Sequence, residues 1–206
     1  MLPQSFYAQS ALSLAARLLG CELIHESKEG TTTGLIVETE AYHTEDPASH
    51  SFRGQTKRNA VMFGPPGYAY IYLSYGIHRC MNVVAGRDGV AEAVLIRALE
   101  PTGGIPLMEH RRSTTLIRNL CSGPGKLVQA MGIVAAQNGA SLNSPRLYIR
   151  PRTAVPPVMA SPRIGISQAV EQPWRFFIAG NPHVTSHKFN NASVPWRYEM
   201  ESVDTP

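Results

Sequence analysis

Glu38, Glu40 and Tyr42 alternate along the run Leu35–Ile36–Val37–Glu38–Thr39–Glu40–Ala41–Tyr42. In an extended chain, residues two apart share a face, so this pattern sets two carboxylates and a phenol side by side. Such a group can work as a general base beside an aromatic platform. Paired carboxylates also keep edge strands soluble, and taken alone that plainer use is the commoner one. A second concentration lies at Tyr68, Tyr70, Tyr72 and Tyr75, half of the eight tyrosines within eight residues. Tyr70 and Tyr72 share a face, which cross-strand packing explains. Tyr75 is out of that register and sits beside Gly76, where a hairpin would turn; an exposed aromatic at such a tip can wedge between base pairs. His50 stands in a loop, where most histidines are ordinary surface residues. Asn82 and Arg97 interrupt otherwise apolar strands. Buried, they need partners, as structural hydrogen-bonders or as site residues.

Two tempting motifs fail. Ser122–Gly123–Pro124–Gly125–Lys126 is followed by Leu127 and lacks the spacing and hydroxyl residue of a phosphate-binding P-loop. It still offers backbone N–H groups and Lys126 to a phosphate at a helix start. His43, Glu45, Asp46 and His50 are potential metal ligands without a recognised spacing.

These residues need elements to hold them. Ser10 caps a helix with Leu12, Leu14, Ala15, Leu18 and Leu19 on its apolar face, stopped at Gly20. Strands are expected at Glu22–Ser27 and Thr33–Tyr42 around the turn Lys28–Glu29–Gly30, then at Tyr68–Ser74, Arg79–Ala85 and Val94–Leu99. Residues 43–67 form a long polar loop, Leu127–Ile133 a helix, and residues 147–180 further short strands. The polar tail after about residue 190 is expected to be loosely held. The fold class is α+β: a single domain over residues 1–206, with a core at about 10–185, a curved antiparallel sheet, flanking helices and a protruding β-hairpin.

The 206 residues are 43% apolar and 17% charged, enough for a core and unlike a disordered chain. Net charge is +4, unevenly spread. Residues 1–49 carry seven acids against two bases, and residues 50–120 carry nine bases, among them Arg53, Lys57, Arg58 and Arg79, against four acids. A basic stretch beside a carboxylate strand suits an enzyme acting on a polyanion; an ordinary solvated surface would look the same. Cys21, Cys80 and Cys121 are an odd, scattered set, expected as buried thiols in a reducing compartment. No secretion signal or membrane-spanning run is visible, and a cytosolic protein is expected.

Taken in order, the motifs resemble the alkyladenine (3-methyladenine) DNA glycosylase family. They are Val37–Glu38–Thr39–Glu40–Ala41–Tyr42, His50–Ser51, Arg58–Asn59, Met62–Phe63, the run Tyr70–Gly76, Cys80–Met81–Asn82, Leu95–Pro101, Ser122–Leu127 and Pro162–Ile166. The resemblance spans about residues 10–180. It implies Glu40 as the base that activates water and Arg97 as the residue that helps hold that water. It implies Tyr42, His50 and Tyr72 as walls of a pocket for a flipped base, with Asn82 screening purine substituents. Tyr75 would fill the gap in the duplex, and Thr56, Arg58, Asn59 and Lys126 would meet the DNA backbone. Neither metal nor cofactor is implied.

The implied activity is monofunctional base excision: a damaged purine leaves double-stranded DNA, and an abasic site remains. Alkylated purines (3-methyladenine, 7-methylguanine) and hypoxanthine are the expected lesions, and a monomer in the bacterial cytosol or nucleoid the expected form. Two other readings stay open here. A non-catalytic nucleic-acid-binding module would keep the basic loop and Tyr75 but not need Glu40. A metal-dependent nuclease would use Glu38, Glu40 and His50 and fail in EDTA.

Overall fold

In the computed structural model, residues 1–74 and 76–197 are described. The chain is mixed α and β, built on one antiparallel sheet of nine strands among the described residues. The strands are β1 (Glu22–Ser27), β2 (Gly30–Tyr42), β3 (Ala69–Ser74), β4 (His78–Ala85), β5 (Glu92–Gly103), β6 (Leu147–Arg150), β7 (Val158–Ser161), β8 (Arg175–Ile178) and β9 (Val194–Pro195). Among the described residues five α-helices accompany them: α1 (Gln4–Tyr7), α2 (Ala11–Leu18), α3 (Ile105–Arg112), α4 (Ile117–Leu120) and α5 (Pro124–Met131).

The main path runs β3–β4–β5–β2–β8–β7–β9. β2 is the centre and is long enough to fork. One edge pairs with β5; the other pairs with β1 over residues 30–35 and with β8 over residues 38–40. β6 continues the β1 branch. At the fork, Ile36 bonds instead to the link before β1: its carbonyl accepts from Gly20 N at 2.9 Å and its N–H donates to Cys21 O at 2.8 Å.

The β2–β5 ladder shifts register three times, once at Thr33/Gly34 and twice in opposite senses beside the cavity. Ile36 faces Leu99 and Glu38 faces Ala98, which leaves Val37 unpaired; Thr39 then faces Ile96, which leaves Arg97 unpaired and restores the register. Bulges re-aim side chains and increase local twist. The extra residue on β5 beside the cavity is the buried Arg97, 5% exposed.

Ser10 caps α2 as expected, its hydroxyl accepting from Ser13 N at 3.3 Å. The buried side of α2, with Leu14, Ala15 and Leu18, covers one face of the sheet, and Thr39 Oγ1 donates to Ala15 O at 2.9 Å. Leu127, Val128 and Met131 of α5 join the same core. Helix α5 starts three residues ahead of the expected Leu127, because Gly123 and Pro124 form its entry. A smaller cluster, Met62, Tyr70, Val84, Ala91 and Ala93, lies elsewhere on the sheet, with Val61 and Phe63 packed against it.

Leu2 and Tyr7 are buried ahead of α2. Beyond residue 190 the expected loose tail is corrected as far as residue 197: β9 pairs with β7, and the Trp196 ring meets Phe176 edge-on at 4.9 Å. The rest of the tail lies outside the described residues. All three cysteines are free and buried. Among the described residues no helix is long and apolar enough to cross a membrane.

Candidate active site

One row of paired residues crosses four strands: Tyr70 faces Asn82, Asn82 faces Leu95, and Leu95 faces Glu40. Directly paired residues share a sheet face, so β3, β4, β5 and β2 deliver these four side chains to one floor. All four line a cavity of about 590 Å³, within the usual size of a small-molecule site. Tyr42, Tyr72, Arg97 and Cys80 line it from neighbouring positions, as do His50 and Arg58 from the long loop and Ile164–Gln168 from the far side.

Glu40 is fully buried. Its Oε1 accepts from Ile164 N at 2.8 Å and pairs with Arg97 Nη1 at 3.2 Å; its Oε2 accepts from the Tyr42 hydroxyl at 2.8 Å. Glu38 is held differently. Its Oε1 takes Arg97 Nε at 3.0 Å and Arg175 Nε at 2.7 Å, and its Oε2 takes Thr185 N at 2.8 Å. Burial would raise the Glu38 carboxyl, but the two guanidiniums and Thr185 outweigh it and hold it below the usual carboxylate range. The two carboxylates that alternation could not separate are thus separated by their surroundings: Glu38 is enclosed by donors, and Glu40 lines the cavity.

Burial, and then the negative charge of Glu40, push the Tyr42 phenol well above its ordinary value, so Tyr42 stays a donor. One side of its ring is backed by Arg163, whose Cζ lies 4.6 Å from the ring centre and 4.9 Å from that of Trp174. Arg163 is 1% exposed. It forks onto both oxygens of Asp46 and donates to Ala41 O at 3.0 Å.

The His50 ring meets Tyr72 edge-on at 4.4 Å, and its Nδ1 lies 3.0 Å from the Tyr70 hydroxyl. Tyr70 and Tyr72 stack at 5.4 Å. Burial, with Arg58 nearby, lowers the His50 pKa, which favours the neutral imidazole. Asn82 spends one donor on Tyr70 O at 3.1 Å.

The expected backbone-contact residues divide. Thr56 and Arg58 are exposed, and Arg58 lies over the Tyr72 ring at 5.7 Å. Asn59 is 2% exposed and holds the loop from inside, donating to His50 O at 2.8 Å and Gly54 O at 3.0 Å and accepting from Thr56 N at 2.6 Å. Lys126, in the first turn of α5, lies 3.5 Å from Ser122 Oγ. Tyr75 lies outside the described residues, though its neighbours in the tip, Gly76 and Ile77, are exposed, Ile77 by 73%.

Sequence reasoning did not assign four participants: Tyr70 as a wall, the Ile164 N–H, the Arg163–Asp46 pair and Arg175. Arg163 and Ile164 stood in a recognised motif without a role. Arg175 carried a weaker signal than Arg97, a cation at the head of a short apolar strand. Among the described residues no three His, Cys, Asp or Glu side chains gather as a metal site; Asp46 faces Arg163 and Glu38 faces two arginines.

The comparisons with known proteins fall on this same frame. The family model described as "Methylpurine-DNA glycosylase (MPG)" matches residues 5–182. The chain belongs to the methylpurine-DNA glycosylase family. Proteins curated as "Putative 3-methyladenine DNA glycosylase" share 54% identity in Rhodopseudomonas palustris strain BisB18, over 89% of this chain and 90% of that one. A protein of the same name from Methanoculleus marisnigri shares 50%, over 89% of this chain and 98% of that one. As a member of this family, the chain is a DNA glycosylase, a hydrolase of N-glycosyl bonds that binds damaged DNA. Family membership sets aside both the non-catalytic module and the nuclease.

Proposed function

We propose that this glycosylase takes a damaged purine into the 590 Å³ cavity and hydrolyses its bond to the sugar with water activated by Glu40. The observation that carries the reading is the state of Glu40: a buried carboxylate at the floor of an aromatic cavity, with Oε2 given only one donor among the described residues. A carboxylate oxygen accepts two hydrogen bonds, so Oε2 retains room for a water. Arg97, Ile164 N and Tyr42 hold the group in one orientation, which is the preorganisation that catalysis needs.

A stacked base cannot reach that carboxylate, so the nucleotide must leave the duplex, at a cost of a few kcal/mol. Tyr75 would offset this by filling the gap, since stacking on an aromatic contributes roughly 1–3 kcal/mol per base. The C1′–N bond then breaks with its electron pair leaving on the base, and the sugar passes through an oxocarbenium-like state. Water adds its oxygen to C1′ and gives a proton to Glu40. A purine alkylated at N3 or N7 is cationic, leaves as a neutral base and gains cation–π attraction from the Tyr42 and Tyr72 rings. Hypoxanthine leaves as an anion unless a proton is supplied. We assign 3-methyladenine, 7-methylguanine and hypoxanthine as substrates, with Asn82 reading the base edge through its second amide hydrogen. Among the described residues no lysine lines the cavity, and we infer that water is the nucleophile and an abasic site the product. The acting form is a monomer on double-stranded DNA in the bacterial cytosol.

The test is release of free 3-methyladenine from methylated duplex DNA and of hypoxanthine from a defined oligonucleotide, each with and without EDTA. Release should survive chelation. Glu40→Gln should lower single-turnover release by at least about a hundredfold, the scale of general base catalysis, and keep binding to lesion DNA. Near-normal release by that variant would sink the assignment. Tyr75→Ser should weaken lesion binding and slow single-turnover release; unchanged rates would remove the wedge role.

A further inference from the structure

The segment 183–197 follows the last residue of the family match, 182, yet it touches the ion cluster behind the catalytic carboxylate. Thr185 N donates to Glu38 Oε2 at 2.8 Å. Glu38 Oε1 holds Arg97 Nε at 3.0 Å, and Arg97 Nη1 reaches Glu40 Oε1 at 3.2 Å. The carbonyl of Thr185 accepts from Arg175 Nη2 at 3.4 Å, while Arg175 Nε is bound to Glu38. Both backbone groups of one residue therefore close the cluster from outside the sheet.

The same segment is anchored on either side of that contact. Before it, Asn181 Nδ2 donates to Glu100 Oε2 at 2.7 Å, and the Asn181 Oδ1 accepts from His183 N at 2.9 Å. After it, Asn190 Nδ2 donates to Thr185 O at 3.1 Å. β9 then pairs with β7, Trp196 N donates to Val158 O at 2.8 Å, and the Trp196 ring packs on Phe176, the residue next to Arg175. The buried Thr185 hydroxyl adds to the hold on the same carboxylate, and the backbone N–H makes the 2.8 Å hydrogen bond.

We propose that segment 183–197 is a positioning element for base excision, in which the Thr185 N–H fixes Glu38, Glu38 fixes Arg97, and Arg97 fixes the orientation of Glu40. The proposal rests on Glu40 as the activating carboxylate. A misplacement of about 1 Å at a reacting group costs up to about a hundredfold in rate, and Glu38 with one oxygen unbonded has freedom to swing Arg97 by that much. Ground-state binding of the flipped base depends on the aromatic walls, which the segment does not touch.

The test compares two substitutions at one position in the full chain. Thr185→Pro removes both the N–H and the hydroxyl; Thr185→Ala keeps the N–H and removes the hydroxyl alone. Single-turnover release of 3-methyladenine from methylated duplex DNA, Kd for lesion DNA and the melting temperature are measured, with wild type and Glu40→Gln alongside. Thr185→Pro should slow release about ten- to a hundredfold with Kd unchanged, and Thr185→Ala, which keeps the N–H, should slow it clearly less. A wild-type rate in Thr185→Pro, or equal slowing by both variants, overturns the proposal. If Thr185→Pro does not fold, Asn190→Ala decides: it frees the Thr185 carbonyl from its second donor and should slow release with Kd unchanged, and a wild-type rate there overturns the proposal. An inactive wild type, or an active Glu40→Gln, would overturn the underlying function instead and is distinguishable from either result.

Discussion

Asp46 shows how little a residue type says before its partner is known. In the sequence it belonged to an unconvincing set of metal ligands; in the fold both its oxygens are taken by Arg163. That guanidinium also backs the Tyr42 ring and precedes the Ile164 N–H that reaches Glu40, so one ion pair ties two cavity loops to β2. Asp46→Ala would leave Arg163 buried without its counter-charge, and such broken pairs cost about 3–5 kcal/mol. Urea unfolding should show that loss as a lower midpoint; a midpoint equal to wild type would contradict it. Arg97 and Asn82 were legible in the sequence because a charged or amide group inside an apolar strand breaks a pattern, whereas Glu40 stood out only together with Glu38, and the ordered motifs chose it and gave Tyr42 its place. Tyr70 was hidden, because an aromatic on a strand fits the pattern whether or not it lines a cavity. The Ile164 N–H was hidden for a deeper reason: a backbone donor has no residue type to recognise.

At the level of elements, Gly125 fixes the distance between α5 and the β3–β4 hairpin. A Cβ there would meet His78 Cβ at 2.9 Å, and His78 is the first residue of β4 after the tip. Gly125→Ala should push hairpin and helix apart. Overpacking of this kind costs roughly 1–3 kcal/mol of stability, and because it displaces the tip and not the carboxylate, lesion-DNA affinity should fall more than the release rate of bound substrate. Equal losses in fluorescence-anisotropy binding and single-turnover release would argue against that division. Most strands were legible from apolar alternation and turn residues, β1 at its observed limits. β5 runs to Gly103, past the expected Leu99, because its pairing with β2 continues where the apolar signal has ended. The paired bulges at Val37 and Arg97 were not legible, since a bulge is a relation between two strands and neither sequence alone displays it.

For the molecule as a whole, acid and salt should act in separable ways. Burial lowers the pKa of His25 and His50, and the cluster arginines lower that of Glu38. Each group binds protons more readily in the unfolded chain, so stability is full above the unfolded values and falls as pH drops through them toward the folded ones. Urea midpoints should therefore be lower at pH 5 than at pH 7.5; a flat or rising trend toward acid would contradict this. DNA affinity should fall with salt through counterion release, by about 0.9 in log K per log unit of salt for each phosphate neutralised, and Arg58→Ala or Lys126→Ala should reduce that slope. An unchanged slope in both variants would place the phosphate contacts elsewhere. The charge cluster at the centre has one more consequence. Glu38 and Glu40 are matched by Arg97 and Arg175, two negative charges against two positive, so the floor of the cavity is close to electroneutral before any base arrives. A cationic purine finds no monopole there to attract it, and a neutral purine meets none to exclude it. The proposed breadth across charged and uncharged lesions is what such an electrically silent floor would allow, with discrimination left to the rings and to the ease with which each base departs.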